Sequence, residues 1–542
     1  MLVSLPPWAQ ENPHIGIGYL NSYLRSNNVS AMVMDLNKSF YLSHPDFRML
    51  WHVENKSFWS NEDTFPLILE IFKVDIENAV NEIIKYDCDI LGFSVIDPKE
   101  RLTIEFIKRI KEKFSKTKII LGGPATSTQE QRKIFLDNIN NYIDAFVVGE
   151  GEETLFHLVE SIKNKRDIKN VAGCFVKNNE KWVYKERKPI MPLDKTPFPT
   201  YEEFDMTLYG KSLLVEWSRG CIGKCAFCKN WRLSSSYRSR SADNIVSELI
   251  YHSRINGVND FTVTDNILNG DLGNLEKVCD KIVEKKLKIK WTGQIAPRKE
   301  MSYNIFKKMK HAGCYKLQIG LESASDKVLR LMHKTFTADI SEQNIRSAKK
   351  AGIETEIFVM IGFPGENDYD FNRTYNFIKR NQFYINTIKS INTLHLVAGT
   401  EVFEKGSDSF GMKSLPRENW HYLWETRKGN TYKIRNKRAK ALVSLAGSLG
   451  IRVMETNVAE GKERTFKISK EKNALCDNVL LLKKSIQSLQ VLPQGEKDVK
   501  KKRSLSRKLI LVFVTIFILA YIIYFWTYML LSSKILLGGK RR

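Results

Sequence analysis

Three cysteines that could bind a metal cluster lie together between Arg219 and Cys228. Cys221, Cys225 and Cys228 follow a C-x3-C-x2-C spacing, and Phe227 stands directly before the last of them. Thiolates are soft ligands that select zinc, copper(I) or iron–sulfur clusters. Because a structural zinc site and an ordinary cluster both use four ligands, three thiolates favour a [4Fe–4S] cluster with one iron open to a further ligand. A zinc site that takes its fourth ligand from a distant part of the chain is the alternative.

The elements around the cysteine loop alternate between strand-like runs and amphipathic helices. Six such runs are Leu213–Ser218, Phe261–Thr264, Ile289–Ile295, Leu317–Leu321, Glu356–Ile361 and Ile388–Val397. This alternation predicts a parallel β/α barrel of the TIM type, partial or complete, with its chemistry at the carboxyl ends of the strands. The cysteine loop directly follows the first run and is therefore expected at that face.

Polar residues and glycines follow several of these predicted strands. Asp265 follows the second strand, Glu322 and Ser323 the fourth, and Gly362 the fifth. A carboxylate at such a position can accept hydrogen bonds from an ammonium group or a hydroxyl, and a glycine lets a flat ring approach the backbone. An N-cap or a surface loop is the alternative explanation for each acid.

The first 190 residues predict a separate α/β domain. Its apolar runs are Leu2–Leu5, Ala31–Asp35, Ile90–Ser94, Lys118–Pro124 and Ala145–Gly149. Strands that alternate with helices indicate a parallel, doubly wound, Rossmann-like sheet, in which ligands bind beyond the carboxyl ends of the strands. Candidate ligand-binding residues at those ends are Pro7, Ser94, Gly122, Gly123, Gly149 and Glu150. Ordinary turn chemistry would explain any one of these glycines.

The cysteine loop resembles the C-x3-C-x-aromatic-C motif of the radical S-adenosylmethionine (SAM) superfamily. The resemblance implies that the three cysteines hold a [4Fe–4S] cluster whose open iron chelates SAM. It extends to the G-x-E-S element, the G-F-P-G-E element and the polar position after the second strand, although Ala398 stands where the family usually has proline. The residues implied to contact SAM are Phe227, Asp265, Glu322, Ser323 and Gly362.

The N-terminal domain resembles the cobalamin-binding domain of the cobalamin-dependent branch of that superfamily. The resemblance lies in Pro13–Leu20, in Gly122 and Gly123, and in the stretch Val148–Thr154. Cobalamin is therefore the flat ligand implied for the strand ends listed above. The D-x-H-x-x-G motif that supplies an axial histidine in classical cobalamin domains is absent from the sequence, as is usual in the radical branch, and His14 is expected to begin a helix.

The two resemblances imply a cobalamin-dependent radical SAM enzyme, most simply a methyltransferase to an unactivated carbon that uses a 5′-deoxyadenosyl radical and methylcobalamin. A one-electron reductant such as ferredoxin or flavodoxin and a small-molecule or lipid substrate are the implied partners. A cyclase or rearrangement enzyme without methyl transfer is an alternative, as is a membrane-tethered, non-catalytic iron–sulfur or cobalamin sensor. A methylthiotransferase would need a second N-terminal cysteine triad, and only Cys88 and Cys174 occur there.

The C-terminal part of the chain predicts a membrane anchor. Residues 406–508 show helical patterns and end in a basic linker, residues 509–531 form a nearly uncharged apolar run, and residues 532–542 form a basic tail. A run of this length can cross a bilayer as one helix, and a buried core helix is the alternative. The excess of lysine and arginine before the run places the body of the protein in the cytoplasm.

Length and charge complete the prediction. A chain of 542 residues is too long for one core, and we expect domains at 1–190 and 191–405, followed by the C-terminal segments. The formal net charge of +24 invites a nucleic-acid interpretation. Because no RNA-binding signature accompanies it and the densest basic cluster adjoins the apolar run, nucleic acid is an unlikely partner.

Overall fold

Two seven-stranded β-sheets frame the computed structural model, which describes residues 1–179, 181–233, 236–414 and 423–457. The N-terminal sheet contains β1 (Leu2–Ser4), β2 (Val33–Asp35), β3 (Ile90–Ser94), β4 (Lys118–Gly122), β5 (Ala145–Val147), β6 (Cys174–Asn178) and β7 (Lys181–Tyr184). Its strand order is β2-β1-β3-β4-β5-β6-β7. Strands β1 to β5 are parallel, and β6 and β7 join them antiparallel. The five predicted apolar runs are thus the five parallel strands.

Four of the five parallel strands of the N-terminal sheet, β1, β3, β4 and β5, are buried on both faces, as expected where helices cover a sheet, whereas the edge strand β2 is partly exposed. Ile119, Ile120 and Leu121 in β4 are at most 2% exposed. The helices of this part of the chain are α1 (Ile15–Ser26), α2 (Leu36–Ser43), α3 (Ser57–Ser60), α4 (Phe65–Ile71), α5 (Lys73–Lys85), α6 (Glu100–Lys113), α7 (Gln129–Ile139) and α8 (Glu152–Lys163).

The second large sheet forms an open barrel. The other described strands are β8 (Ser212–Val215), β9 (Ser218–Arg219), β10 (Arg238–Ser239), β11 (Asp260–Val263), β12 (Lys290–Ile295), β13 (Cys314–Glu322), β14 (Glu354–Ile361), β15 (Thr387–Thr393), β16 (Met412–Ser414), β17 (Glu425–Thr426) and β18 (Arg452–Thr456). Seven of them pair in the order β18-β15-β14-β13-β12-β11-β8, and every pairing is parallel. The order is linear, so the barrel is partial.

The helices of the barrel part are α9 (Asn230–Leu233), α10 (Ala242–Ile255), α11 (Leu272–Glu284), α12 (Tyr303–His311), α13 (Asp326–Leu331), α14 (Ala338–Lys350), α15 (Asp368–Arg380), α16 (Glu401–Glu404) and α17 (Tyr432–Ser448). The region after residue 405, predicted to be helical, contains α17 but also β16, β17 and β18. Strand β18 is mostly exposed. Its hydrogen bonds to β15, rather than burial, hold it in place, so no apolar pattern marks it in the sequence.

The segment between the two sheets packs closely against α1. The Thr200 amide donates to Ser22 Oγ at 3.1 Å, and Tyr201 is buried with a φ of +59°. A Cβ at Gly18 would lie 2.7 Å from the Tyr201 ring, so only glycine permits this approach. The contact holds the first N-terminal helix against the chain that enters the barrel.

The membrane anchor in the predicted fold class requires correction. Among the described residues, no helix has both the length and the apolar character needed to cross a bilayer. The transmembrane helix predicted at 509–531, the basic linker before it and the tail at 532–542 lie outside the described residues. On this finding the predicted transmembrane fold, the membrane partner and the membrane-anchored localisation are wrong. The corrected fold class is an α/β arrangement of a doubly wound sheet and a partial barrel.

Candidate functional site

A cavity of about 560 Å³ lies between the carboxyl ends of the two large sheets. The N-terminal sheet lines it with Ser94 at the end of β3, Gly122 and Gly123 after β4, and Gly149 and Glu150 after β5. The barrel lines it with Glu216, Ser218, Arg219, Gly220, Thr264, Asp265 and Asn266. The strand ends of both sheets therefore face one space, as parallel α/β sheets require of their ligand sites.

Backbone rather than side chains forms part of the cavity wall. Gly123 has a φ of +97°, and a Cβ there would lie 2.5 Å from the carbonyl oxygen of Val95. Gly149 has a φ of +80°. Both positions need glycine, and the bare backbone leaves room for a flat ligand to approach. Pro7 was also predicted to line this site. It is buried in the loop between β1 and α1 and is not among the residues that line the cavity.

His14 begins α1, as predicted. Its Nδ1 accepts a hydrogen bond from the Ile17 amide at 3.3 Å, and its Nε2 lies 3.4 Å from Ser94 Oγ. The ring is stacked on Trp8, with 4.5 Å between ring centroids, and both rings line the cavity. Burial, together with the charge on Lys99, lowers the pKa of His14 well below its ordinary value. A neutral aromatic pair therefore bounds the cavity at this edge.

Glu150 joins the two sheets at the cavity. Its carboxylate accepts from Arg187 at 2.8 Å and from Arg238 at 2.5 Å, and it also accepts from the Ile190 amide at 3.1 Å. Burial alone would raise the pKa of Glu150, but the hydrogen bonds from Arg238 and Arg187 lower it to about 2. Glu150 is thus a fixed anion, and the acid predicted for ligand binding also ties the N-terminal sheet to β10.

Arg219 forms a second link, directly before the cysteine loop. Its guanidinium donates to Glu216 and to Glu152, each at 2.6 Å, and lies over the ring of Tyr19 at 5.3 Å. The side chain is 11% exposed. The sequence marked only Glu150 in this cluster, because the charged partners come from α8, β8 and β9, and only packing brings them together.

The cysteine loop turns sharply after β9. Gly220 has a φ of +87°, and a Cβ there would lie 2.3 Å from the carbonyl oxygen of Ser236. The Gly223 amide donates to Cys221 Sγ at 3.3 Å. A Cβ at Gly223 would lie 3.6 Å from the sulfur of Cys221 and 3.7 Å from that of Cys225. Two of the three predicted ligands therefore flank one glycine.

The second half of the loop is anchored to the barrel. The Ala226 amide donates to the Met332 carbonyl and the Ala226 carbonyl accepts from the Val402 amide, both at 3.1 Å. Phe227 packs edge-on against Phe363, with centroids 6.4 Å apart. The Cys228 side chain is partly exposed. Backbone hydrogen bonds to the residue after α13 and to α16 thus hold the part of the loop that carries Cys225 and Cys228.

Glu322 meets the cysteine loop through a lysine. It ends β13 with a φ of +59°, a strained conformation for a residue with a side chain, and its Oε1 accepts from Lys334 Nζ at 3.1 Å. Lys334 also interacts electrostatically with Cys225 and lies 5.3 Å from the Phe227 ring centroid. Burial opposes the charge on Lys334, but Glu322 and Cys225 raise its pKa above the ordinary value. The structure therefore brings together three of the predicted site residues around one cation.

Asp265 lines the cavity, but both of its carboxylate oxygens accept hydrogen bonds from other barrel residues. Its Oδ1 accepts from the Trp217 amide at 2.8 Å and its Oδ2 from Ser218 Oγ at 2.5 Å. These bonds tie the end of β11 to the end of β8. Burial raises the pKa of Asp265 to about 7 in spite of both hydrogen bonds.

Ser323 and Gly362 are engaged with the chain itself. Ser323 is fully buried, and its hydroxyl accepts from the Ser325 amide at 3.1 Å. The Gly362 amide donates to Glu366 Oε1 at 3.0 Å, and a Cβ at Gly362 would lie 2.2 Å from the side chain of Arg435. Neither residue lines the cavity described above. Their observed contacts hold the ends of β13 and β14 in place.

Two family models match the chain. The model of the radical SAM superfamily matches residues 215–378, and the model of the B12 binding domain matches residues 64–159. The chain combines the two domains of cobalamin-dependent radical SAM enzymes. The predicted family is thereby confirmed, together with the cofactors that the two models imply, a [4Fe–4S] cluster, SAM and cobalamin. Radical SAM chemistry also requires a one-electron reductant.

Curated relatives carry methyltransferase and cyclase names. An uncharacterised methyltransferase of Pyrococcus horikoshii is 28% identical over 305 residues, which cover 55% of this chain and 65% of the relative. An anaerobic magnesium-protoporphyrin IX monomethyl ester cyclase of Rubrivivax gelatinosus is 24% identical over 304 residues, which cover 53% of each chain. The chain therefore spans between about half and two thirds of the length of these two relatives.

Solved structures share the fold. The cobalamin-dependent SAM radical enzyme OxsB, with aqua-cobalamin and SAM bound, gives a TM-score of 0.56 at 17% identity and covers 76% of this chain and 54% of its own. The radical SAM methyltransferase TsrM from Kitasatospora setae, with cobalamin and a [4Fe–4S] cluster bound, gives 0.59 at 14% identity and covers 85% and 91%. At these identities the likeness establishes a common fold.

The residues present fit the implied cofactors. Among the described residues, no three histidine, cysteine or acidic side chains surround a single point as the ligands of one metal ion do. The three thiols are soft donors on one anchored loop, which suits separate irons of a cluster. The cavity falls within the range of about 300–1,000 Å³ typical of ligand sites, and its glycine wall suits a flat ring.

Proposed function

We propose that the protein is a cobalamin-dependent radical SAM methyltransferase that transfers a methyl group to an unactivated carbon of a small molecule or lipid. The observation that carries this proposal is the shared cavity between the two sheets. One wall is the glycine-lined edge of the B12 binding domain, and the other is the barrel edge from which the cysteine loop leaves. A cofactor on either side would therefore face the same space.

Each domain is proposed to bind a different cofactor. Residues 1–190 would bind cobalamin and residues 191–405 would bind the cluster and SAM. The three loop cysteines would hold the cluster, with Phe227 packed behind them. When bound, the cluster and SAM supply the radical, and cobalamin supplies the methyl group. The chain's own part is to bind and orient these groups and to exclude water from them.

Within the barrel, the contacts favour different roles for the predicted SAM residues. Glu322, held by Lys334 beside Cys225, is the best candidate to contact SAM directly. Asp265 would contact a ligand through an edge that its two hydrogen bonds leave free. Ser323 and Gly362 would act by holding the strand ends, because their polar groups are occupied within the chain.

The cobalamin residues are proposed on the same basis. Ser94, Gly122, Gly123 and Gly149 would form the wall on which the corrin lies. Glu150 would fix the boundary of the site through its arginine partners. Pro7, which does not line the cavity, would support the residues of this wall without contacting the corrin.

Anaerobic reconstitution tests the proposal. We expect the purified protein, given iron, sulfide, cobalamin, SAM and a one-electron reductant, to release 5′-deoxyadenosine and S-adenosylhomocysteine. The first product reports radical formation and the second reports methylation by SAM. A reduced cluster that releases neither product would overturn the enzyme proposal and favour a non-catalytic sensor.

Cysteine variants supply the control for cluster binding. Cys225→Ala should lose most of the bound iron and all 5′-deoxyadenosine formation, since it removes one of the three proposed cluster ligands. Cys88→Ala removes a partly exposed thiol of the N-terminal domain and should keep both. Zinc at the loop, measured by metal analysis of protein purified without oxygen, would contradict the cluster.

A cyclase that forms a ring without net methyl transfer is the second candidate, because relatives with the cyclase name match half of the chain. SAM labelled in its methyl group separates the two. Label in the product of the native substrate indicates methyl transfer. An unlabelled product that has lost hydrogen indicates ring formation.

A further inference from the structure

Three residues that line the cavity carry a buried polar atom without a hydrogen-bond partner in the described part of the chain: Trp8 (Nε1), Glu152 (Oε2) and Arg219 (Nη1). The last two belong to one ion pair. The other carboxylate oxygen of Glu152 accepts from Arg219 Nη2 at 2.6 Å, and Nη1 lies 3.7 Å from Glu150, too far for a hydrogen bond. Both residues line the cavity, and the Glu152 side chain is 5% exposed.

A buried polar atom without a partner costs about 1–3 kcal/mol, and more when the group is charged. This ion pair leaves one acceptor, on Glu152, and one donor, on Arg219, without a hydrogen bond. A ligand group that satisfies both must therefore offer a donor and an acceptor together.

The charges around the pair select among such groups. Glu150 and Glu216 stand beside Arg219 and would repel a carboxylate or a phosphate. The guanidinium of Arg219 itself would repel an ammonium group placed on Glu152. A neutral primary amide has a carbonyl oxygen and an NH2 group about two bonds apart, and it satisfies both atoms without adding charge.

We propose that Glu152 and Arg219 bind a primary amide of the ligand, with Arg219 Nη1 donating to the amide oxygen and Glu152 Oε2 accepting from the amide nitrogen. This inference rests on the proposed function, in which the ligand of the cavity is cobalamin, because the rim of the corrin ring carries several primary amides. Glu152 lies in the stretch Val148–Thr154 that resembles the cobalamin-binding domain, but neither it nor Arg219 was among the candidate cobalamin residues named from the sequence.

The pair also connects the corrin to the cysteine loop. Arg219 precedes Gly220 and Cys221, and the tight approach of Gly220 to Ser236 leaves the loop little room to shift. An amide held by Arg219 therefore fixes the start of the loop. Corrin binding should therefore slow hydrogen exchange in this stretch further, which gives a readout that does not depend on turnover.

Paired corrins test the proposal through binding alone. Cobinamide keeps the side-chain amides and lacks the nucleotide tail, whereas cobyrinate heptamethyl ester carries esters in place of the amides. An ester cannot donate to Glu152. We expect wild-type protein to bind cobinamide at least about tenfold more tightly than the ester, since a hydrogen bond to a charged group contributes about 1.5–3 kcal/mol.

Glu152→Gln is the decisive variant, because its side-chain amide can donate to an ester or an amide carbonyl alike. We expect the ratio of the two affinities to fall to within about threefold in this variant. Glu153→Gln, the neighbouring acid in the first turn of α8, should keep the wild-type ratio. Partial unfolding of a variant lowers the number of binding sites but not the ratio of affinities.

Hydrogen–deuterium exchange gives a second readout. Cobinamide should slow exchange in residues 216–222 of the wild type and of Glu153→Gln, and much less in Glu152→Gln. An unchanged ratio and unchanged protection in Glu152→Gln would overturn the amide pair while leaving the proposed function intact. A wild-type protein that binds neither cobinamide nor cobalamin would overturn both.

Discussion

Replacing Glu150 by glutamine should loosen the boundary between the two sheets. The carboxylate is 17% exposed and accepts from Arg187, Arg238 and the Ile190 amide. Burial opposes its charge, yet the arginine hydrogen bonds lower its pKa from 4.5 to about 2. A depression of that size corresponds to about 3 kcal/mol in favour of the folded state. Glutamine keeps the shape but leaves two poorly exposed guanidinium groups without their anion.

Hydrogen–deuterium exchange at pH 7 measures the effect locally, on peptides that span residues 186–192 and 236–241. We expect the free energy of local opening to fall by about 3 kcal/mol in the variant, which corresponds to exchange about 100-fold faster. Glu77→Gln is the matched control. Glu77 pairs with Arg109 and Lys113 but is 44% exposed, and such surface pairs contribute little to stability.

The pH dependence follows from the direction of the shift. Because the pKa of Glu150 is depressed in the folded protein, its stabilisation is complete above about pH 4.5 and is lost as the pH falls towards 2. The difference in urea unfolding between wild type and Glu150→Gln should therefore shrink over that interval. Equal exchange of the two proteins at pH 7, or a loss no larger than that of the control, would refute the reasoning.

Two further substitutions test the barrel side of the site. Gly362→Ala should destabilise the protein by more than about 2 kcal/mol, because the residue has a φ of +79° and its new Cβ would meet Arg435 at 2.2 Å. Gly257→Ala, with a φ of +64° and nothing within 4 Å, should cost only about 1 kcal/mol, and equal shifts in the urea midpoint would contradict the clash. Asp265→Asn should change the pH profile of stability. Burial raises the pKa of Asp265 from 3.8 to about 7, so the wild type should lose stability relative to the variant as the pH rises from about 4 to about 7. A constant difference between the two urea midpoints over that range would show that Asp265 does not titrate there.

Much of the fold could be predicted because the relevant signals are local. Each of the five parallel strands of the N-terminal sheet is an apolar run bounded by turn residues, and the six predicted barrel strands coincide with β8 and β11 to β15 to within a few residues. The antiparallel pair β6 and β7 and the edge strand β18 were missed. Strands β7 and β18 are mostly exposed and show no continuous apolar pattern, and β6 buries only two of its five residues. An apolar run at 509–531 led to a transmembrane fold, which the described helices do not support.

The cofactor chemistry of this protein was determined by the sequence itself, because three thiols spaced within one turn need no distant partner to be recognised as ligands. The tertiary structure decided what the acids do. Glu150 is paired with arginines 37 and 88 residues away, and Asp265 with a backbone 48 residues away. Such pairings depend on which strand ends lie next to each other in the fold, and the spacing of residues along the chain does not predict those neighbours. Only packing therefore shows that Glu152 and Arg219 face the cavity with a donor and an acceptor still unused.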